Sequence, residues 1–253
     1  MKEIVFMGGK EIGSACLQHV LDRSRDLDIV VKAVLTNDRQ LLGGGTSVSA
    51  LAEAHGIPVL PSLEAFLEIP DVDILLSVQY HEILRQPHID KARQIAVNLH
   101  MAPLPEYRGC NQFTFAILDG ATEFGTTLHR LETSVDGGAI LFEKRFPIPA
   151  GCYVTDLYAH TFAASSALFR ESLEALVNGS YTPVPQADFL GSRSTSFHYR
   201  REINDVKVID LNWPKERIAR HIRATYFPPF DPPYALQDGT KVPLTKEWLE
   251  NQA

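Results

Sequence analysis

The feature that most constrains the fold is a regular alternation of short apolar runs and helical patterns through the first 100 residues. The apolar runs have the length of buried strands and occupy residues 4–7, 29–35, 74–78 and 95–99. Segments with helical spacing separate them, at residues 12–23, 48–55, 63–67 and 89–92. Strands that alternate with helices in this way predict βαβ units and therefore an α/β protein with a mostly parallel, twisted sheet. In such sheets, ligands bind at the carboxyl ends of the strands.

The second half of the chain contains patterns typical of further helices and strands, and its composition changes towards the C-terminus. We expect a short helix, two strands and a long helix, at residues 111–120, 126–131, 140–146 and 153–177. Asn178-Gly179 would end the long helix. After Pro183 and Pro185 the segments become short, polar and rich in proline. We therefore divide the chain into a core of residues 1–190 and a small, partly β C-terminal appendage of residues 191–253.

The charge balance argues against a nucleic-acid-binding protein. The 253 residues carry a formal net charge of −7, whereas binding to a polynucleotide usually requires a basic patch. Residues 191–253 hold ten Lys and Arg against eight Asp and Glu. This small excess suits one or two phosphates of a small ligand, and we expect no polynucleotide partner.

Cysteine usage and hydropathy indicate a cytoplasmic protein. Cys16, Cys110 and Cys152 lie far apart, which is typical of reduced thiols and not of a disulfide framework or a structural zinc site. The first apolar run is too short for a signal-peptide core, and no apolar run approaches the length of a membrane span. We therefore expect no association with a membrane.

A glycine-containing turn follows the first predicted strand. Its sequence, Gly8-Gly9-Lys10-Glu11-Ile12-Gly13, has neither the G-x-G-x-x-G spacing of a dinucleotide fingerprint nor the Gly-Lys-Ser/Thr of a P-loop. It supports only a tight turn and a helix N-terminus of the kind that can bind an anion.

Three polar side chains suggest a site for acyl transfer. Asn98 and His100 are two residues apart at the end of an apolar strand, so their side chains share one face. Asp136 lies in the turn Asp136-Gly137-Gly138 between two strands. An amide can donate to a developing oxyanion, an imidazole can move the proton of an amine, and a carboxylate can orient the imidazole.

Two other interpretations of these side chains are open. Asn98 and His100 alone also fit a polar strand end whose side chains bind nearby backbone. His100, His129 and Asp136 have the composition of a two-histidine, one-carboxylate metal site. That arrangement leaves Asn98 without a role, and we expect no metal.

The sequence around these residues resembles the 10-formyltetrahydrofolate-dependent formyltransferases. The matching motifs fall within residues 74–146 and comprise Asn98-Leu99-His100, Pro103-Leu104-Pro105, Arg108-Gly109, Gly125-Thr126-Thr127-Leu128-His129, Asp136 and Gly138-Ala139-Ile140. The chain departs from the family in two places. Met101-Ala102 replaces the usual Pro-Ser, and Asp136-Gly137-Gly138 replaces the usual D-T-G.

The resemblance implies a Rossmann-like formyltransferase core and a set of site residues. Asn98, His100 and Asp136 would be the catalytic residues. The segment 77–84 would hold the folate of the formyl donor, 10-formyltetrahydrofolate, with the expected contacts Gln79, Tyr80, Ile83 and Gly138. Residues 1–190 would then form the catalytic domain.

Within the family, the chain resembles the nucleotide-sugar N-formyltransferases most, in the segments Gly109-Cys110-Asn111, His198-Tyr199-Arg200-Arg201, Ile209-Asp210 and Ile222-Arg223-Ala224 with Pro228-Pro229-Phe230. That subgroup implies a homodimer that formylates an amino sugar, such as a 4-amino-4,6-dideoxy sugar for a surface polysaccharide, with dTDP, GDP or UDP as the nucleotide. The C-terminal region would aid substrate binding and contribute to dimerisation. The expected substrate contacts are Met101, Arg108, Asn111, Arg200, Arg201, Tyr226 and Phe227.

Several of these assignments have alternatives. Arg200-Arg201 suits a diphosphate but also a solvated basic pair, and Tyr226-Phe227 suits either the ligand or internal packing. A methionyl-tRNA formyltransferase is the rival enzyme, although its C-terminal domain is larger and basic. A non-catalytic module that binds folate or a nucleotide is the rival outside the enzymes.

Overall fold

The computed structural model describes residues 1–37 and 45–251 and contains a central six-stranded sheet. The strands of the described residues are β1 (Lys2–Gly8), β2 (Ile29–Leu35), β3 (Val72–Val78), β4 (Ala92–His100), β5 (Tyr107–Gly109), β6 (Glu123–Arg130), β7 (Ile140–Pro147), β8 (Ser196–His198), β9 (Tyr234–Gln237) and β10 (Thr240–Pro243). The helices are α1 (Lys10–Asp22), α2 (Val48–Ala54), α3 (Leu63–Glu68), α4 (Gln86–Ile89), α5 (Gln112–Leu118), α6 (Val154–Asn178), α7 (Ile203–Val206), α8 (Lys215–Thr225) and α9 (Lys246–Glu250).

The central sheet changes direction at β4. Its strand order is β2-β1-β3-β4-β6-β7. The first four strands pair in parallel, whereas β6 is antiparallel to both β4 and β7. The predicted α/β class with a mostly parallel sheet is confirmed. The carboxyl end of β4 is therefore flanked by a parallel strand on one side and an antiparallel strand on the other.

Both faces of the sheet are buried, as the continuous apolar runs require. Ile4 and Phe6 of β1 belong to one core, which also contains apolar side chains of α1, α2 and α6. Val5 and Met7 point to the other face and pack with side chains of α3. Because side chains alternate along a strand, a single apolar run supplies both layers.

One predicted helix is misplaced. The sequence predicts a helix over residues 89–92, but α4 ends at Ile89 and β4 begins at Ala92. The chain is extended there because it pairs with β3, where Val72 lies opposite Ala92 and its N–H donates to the Lys91 carbonyl. Strand pairing across the sheet overrides the local helical pattern.

The C-terminal part forms the predicted small, partly β addition. The hairpin of β9 and β10 and helix α8 enclose a small core of Ile209, Ile218, Ile222, Ala235 and Leu244. Strand β8 pairs in parallel with β5, which follows β4 in the sequence. The division at residue 190 stays a prediction. Among residues 1–37 and 45–251, no helix has both the length and the apolar content needed to cross a membrane.

Because both faces of the central sheet are buried, truncating a leucine within it should lower the free energy of unfolding more than truncating an exposed leucine. Leu76 of β3 is 1% exposed, whereas Leu236 of β9 is 58% exposed. We expect Leu76→Ala to lower the free energy of unfolding by about 2–5 kcal/mol, because it removes buried methyl groups and leaves a cavity. Leu236→Ala should change it by less than about 1 kcal/mol. Urea denaturation measures both, and equal losses would contradict the described packing.

Candidate active site

The carboxyl end of β4 presents two polar side chains on one face of the sheet. Asn98 and His100 alternate with Val97 and Leu99, which are buried in the core on the opposite face. In the antiparallel pairing with β6, Asn98 lies opposite His129 and His100 lies opposite Thr127. Residues opposite each other in neighbouring strands have their side chains on the same face. The pairing therefore brings His129 beside Asn98.

His100 is fixed by a bond to the backbone. Its Nε2 lies 2.7 Å from the carbonyl oxygen of Tyr107, which can only accept, so Nε2 carries the hydrogen. In the neutral ring, Nδ1 then holds the lone pair. This atom lies 3.6 Å from Oδ1 of Asp136, and the His100 side chain is 6% exposed. The structure thus directs the basic nitrogen of His100 towards a carboxylate.

His129 orients the amide of Asn98. Its Nδ1 donates to the carbonyl oxygen of Arg130 at 2.8 Å, so Nε2 holds the lone pair in the neutral ring. The Asn98 amide nitrogen lies 3.1 Å from Nε2 and donates to it. This bond uses one of the two N–H groups of the amide. The other is suited to donate to an oxygen of a ligand.

Asp136 is a mostly buried, ionised carboxyl group. Its side chain is 10% exposed, and Oδ1 lies 3.6 Å from His100 and 3.5 Å from His129. The N–H of Gly109 donates to Oδ2 at 2.9 Å. Burial alone would raise the pKa of Asp136, but the two histidines and the Gly109 N–H outweigh it and hold the pKa well below its ordinary value.

The turn that carries Asp136 has a backbone conformation that few residue types can adopt. Asp136 adopts a left-handed conformation with φ of 51°. A Cβ at Gly138 would collide with the carbonyl oxygen of Arg130, so this close approach requires glycine. The side-chain amide of Gln186 donates to the carbonyl oxygens of Asp136 at 2.7 Å and Gly138 at 2.8 Å.

The loop between β4 and β5 is fastened to β6. The hydroxyl of Thr127 accepts from the N–H of Leu104 at 3.2 Å and donates to the Ala102 carbonyl at 2.9 Å. Thr126 donates to the carbonyl oxygen of His100 at 3.1 Å. Both threonines are fully buried. They hold the loop whose far end supplies the Tyr107 carbonyl and the Gly109 N–H.

The segment expected to hold folate follows β3. Gln79 has a positive φ of 54°, and its Oε1 accepts from Lys10 at 3.0 Å. Tyr80 donates to Glu82 at 2.9 Å, and burial, together with Glu82, raises the pKa of Tyr80. Ile83 is 69% exposed, although it is a large apolar residue. These positions adjoin the end of β3, the strand beside β4.

The expected substrate contacts fall into three groups. Tyr226, Phe227 and Met101 take part in internal packing, and the Met101 side chain lies in the main core at 1% exposure. Any contact of Met101 with a ligand is therefore through its backbone. Arg200 and Arg201 lie on the surface.

Asn111 and Arg108 lie between the core and the C-terminal region. The Asn111 amide donates to the carbonyl oxygens of Tyr199 at 3.0 Å and Arg200 at 3.2 Å, so it holds the segment that carries the two surface arginines. Arg108 is half-buried and lies opposite Phe197 of β8.

Sequence reasoning missed two residues of the site. The sequence indicates His129 only as part of a motif and as a candidate metal ligand, because its role depends on the register of β6 against β4. Gln186 had no local signal, because it lies 50 residues from the turn that it binds. In the described part of the chain, no three His, Cys, Asp or Glu side chains are grouped so that they could hold a metal ion.

The low pKa of Asp136 predicts a pH-dependent contribution to stability. A group whose pKa is lowered by folding stabilises the fold above its unfolded pKa, about 3.9 for Asp, and loses that contribution as the pH falls. Between pH 7 and pH 3, we expect the wild type to lose more free energy of unfolding than Asp136→Asn, which cannot ionise. Denaturant titrations at both pH values measure this difference. Parallel losses would show that Asp136 is not held ionised by its neighbours.

Comparison with known proteins places this geometry in a family. Residues 1–173 match the model of the formyl transferase family. GDP-perosamine N-formyltransferase of Brucella melitensis is 32% identical over 169 residues, which cover 67% of this chain but 62% of that protein. Methionyl-tRNA formyltransferase of a Synechococcus species is 30% identical over 239 residues, which cover 89% of this chain and 71% of that protein.

A solved structure has the same architecture. WlaRD, a sugar 3N-formyl transferase crystallised in the presence of dTDP and 5-N-formyl-THF, is 25% identical with a TM-score of 0.77. The comparison covers 96% of this chain and 84% of that one. Together with the family match over residues 1–173, this similarity shows that the chain belongs to the formyl transferase family.

Proposed function

We propose that the protein is an N-formyltransferase that moves the formyl group of 10-formyltetrahydrofolate to the amine of a nucleotide-linked amino sugar. The observation that carries this proposal is the arrangement of three groups at the carboxyl end of β4. The Asn98 amide, Nδ1 of His100 and the ionised carboxylate of Asp136 meet there in a member of the formyl transferase family.

The three groups have complementary roles in formyl transfer. The neutral amine attacks the formyl carbon, and the second N–H of Asn98 stabilises the negative charge that develops on the formyl oxygen. Nδ1 of His100 accepts the proton released by the amine, and Asp136 stabilises the resulting imidazolium. The bond from the formyl carbon to N10 of the folate then breaks. The proton passes to N10, so tetrahydrofolate leaves as a neutral amine.

A nucleotide sugar is the acceptor that the relatives and the charge distribution favour. The Brucella relative is named for GDP-perosamine, and WlaRD is named as a sugar formyltransferase. Residues 191–253 carry a small positive excess, and Arg200 and Arg201 are exposed next to the segment held by Asn111. This suits the diphosphate of one small ligand. We propose a 4-amino-4,6-dideoxy sugar destined for a surface polysaccharide as the acceptor.

The proposal extends to the folate contacts, the location and the oligomeric state. We propose that Gln79, Tyr80, Ile83 and the backbone of Gly138 adjoin the folate. The protein would act in the cytoplasm as a homodimer, with residues 191–253 contributing to the interface.

Substitution of the three groups should separate catalysis from folding. We expect His100→Asn and Asp136→Asn to lower turnover by orders of magnitude, since each removes a proton-transfer group or its partner. Asn98→Ala should lower turnover roughly 10²–10³-fold if the amide stabilises the oxyanion. Release of tetrahydrofolate with a panel of nucleotide amino sugars is the measurement. His55→Asn is the control, because His55 is exposed and its side chain bonds to the Leu51 carbonyl at the C-terminal end of α2. Near-normal turnover in the variants would overturn the assignment.

Methionyl-tRNA is the rival acceptor, because a methionyl-tRNA formyltransferase matches 89% of the chain. The acidic charge of the protein opposes tRNA binding. We therefore expect weak retention of initiator methionyl-tRNA in a filter-binding assay and no formylation of it. Tight binding that weakens steeply with salt would favour the rival, since such binding depends on phosphate contacts.

A further inference from the structure

A segment beyond the family match fastens the loops of the active site. Val184 exchanges two backbone hydrogen bonds with Ile140, at 2.8 and 2.9 Å. Arg193 donates to the Leu104 carbonyl at 3.0 Å and forms two hydrogen bonds with Glu143. Residues 196–198 pair with β5. We call residues 184–198 the strap.

Gln186 is a strap residue whose side chain bonds to the turn that carries Asp136. Its side-chain nitrogen has two hydrogens, and both are donated to carbonyl oxygens, those of Asp136 and Gly138. Because these oxygens can only accept, the orientation of the amide is determined. Gln186 is 9% exposed, so water competes little for these bonds.

The backbone of this turn is one that such bonds can restrain. Asp136 has a positive φ of 51°, and Gly137 and Gly138 on its C-terminal side leave the turn with a flexible backbone. The side chain of Asp136 nevertheless has to reach the N–H of Gly109 and the imidazoles of His100 and His129 at once. Fixing the carbonyl oxygens on both sides of Gly137 fixes the direction of that side chain.

We propose that Gln186 is a positioning residue that holds Asp136 in place by fixing the backbone of its turn. This inference rests on the proposed function, because Asp136 acts there as the partner of His100. It assigns part of the active site to a residue outside the formyl transferase match, which ends at residue 173.

The test compares two matched glutamines. Gln94 also donates its side-chain amide to two backbone carbonyls, those of Leu176 at 2.9 Å and Val177 at 3.1 Å, at the end of α6. Gln186→Met and Gln94→Met each keep the side-chain length and remove the donor. With the sugar nucleotide that the wild type formylates, we expect Gln186→Met to lower kcat about 10²-fold with little change in KM, since small misplacements of catalytic groups have such effects. Gln94→Met should leave kcat within about twofold.

A substrate-free measurement separates this proposal from the proposed function. In protein with ¹³C-labelled aspartate, the carboxyl signal that is missing in Asp136→Asn reports the ionisation of Asp136. We expect Gln186→Met to raise the pH at which this signal titrates, and Gln94→Met to leave it unchanged. An unchanged titration in Gln186→Met, or an equal shift in both variants, would overturn the positioning role even if the wild type formylates a sugar. If the wild type shows no turnover, this titration decides alone, and melting temperatures of the two variants check that both fold.

Discussion

The positions of the other groups in the site depend on the buried carboxylate of Asp136. A charge with so little exposure is tolerated only when neighbouring polar groups compensate for lost hydration. Here these groups come from three separate places in the chain, namely the imidazole of His100 at the end of β4, the N–H of Gly109 at the end of β5, and the imidazole of His129 near the end of β6. These segments must therefore occupy fixed positions relative to one another. The same requirement that stabilises the carboxylate assembles the catalytic groups.

The change of strand direction at β4 meets this requirement. Because β6 runs antiparallel to β4, residues 98 and 129 and residues 100 and 127 form opposite pairs. Asn98 and His100, whose side chains lie on the same face of β4, therefore each have a polar neighbour on β6. His129 orients the Asn98 amide, and Thr127 binds the loop that follows His100. The parallel strands on the other side of β4 carry the segment expected to hold the folate.

The sequence predicted the elements whose signal is local and missed those that depend on distant partners. Continuous apolar runs located the buried strands, and the two-residue spacing placed Asn98 and His100 on one face. The helix predicted over residues 89–92 was wrong, since pairing with β3 extends the chain there. The role of His129 required the register between β4 and β6, and Gln186 required a contact across 50 residues. A local hydrophobic pattern carries no information on contacts between residues that are so far apart in the sequence.

The double glycine of the catalytic turn explains why a distant residue would be needed. A Cβ at Gly137 would collide with the side chain of Ser134, whose carbonyl accepts from the Gly137 N–H at 3.1 Å. Glycine at position 137, where related sequences usually carry threonine, therefore fits the local packing of this chain. The same glycine gives the turn more freedom to lose on ordering, because glycine has the largest conformational entropy in the unfolded chain. The residues of such a turn restrict its backbone less than other residues would. The two hydrogen bonds from Gln186 therefore contribute more to the orientation of Asp136.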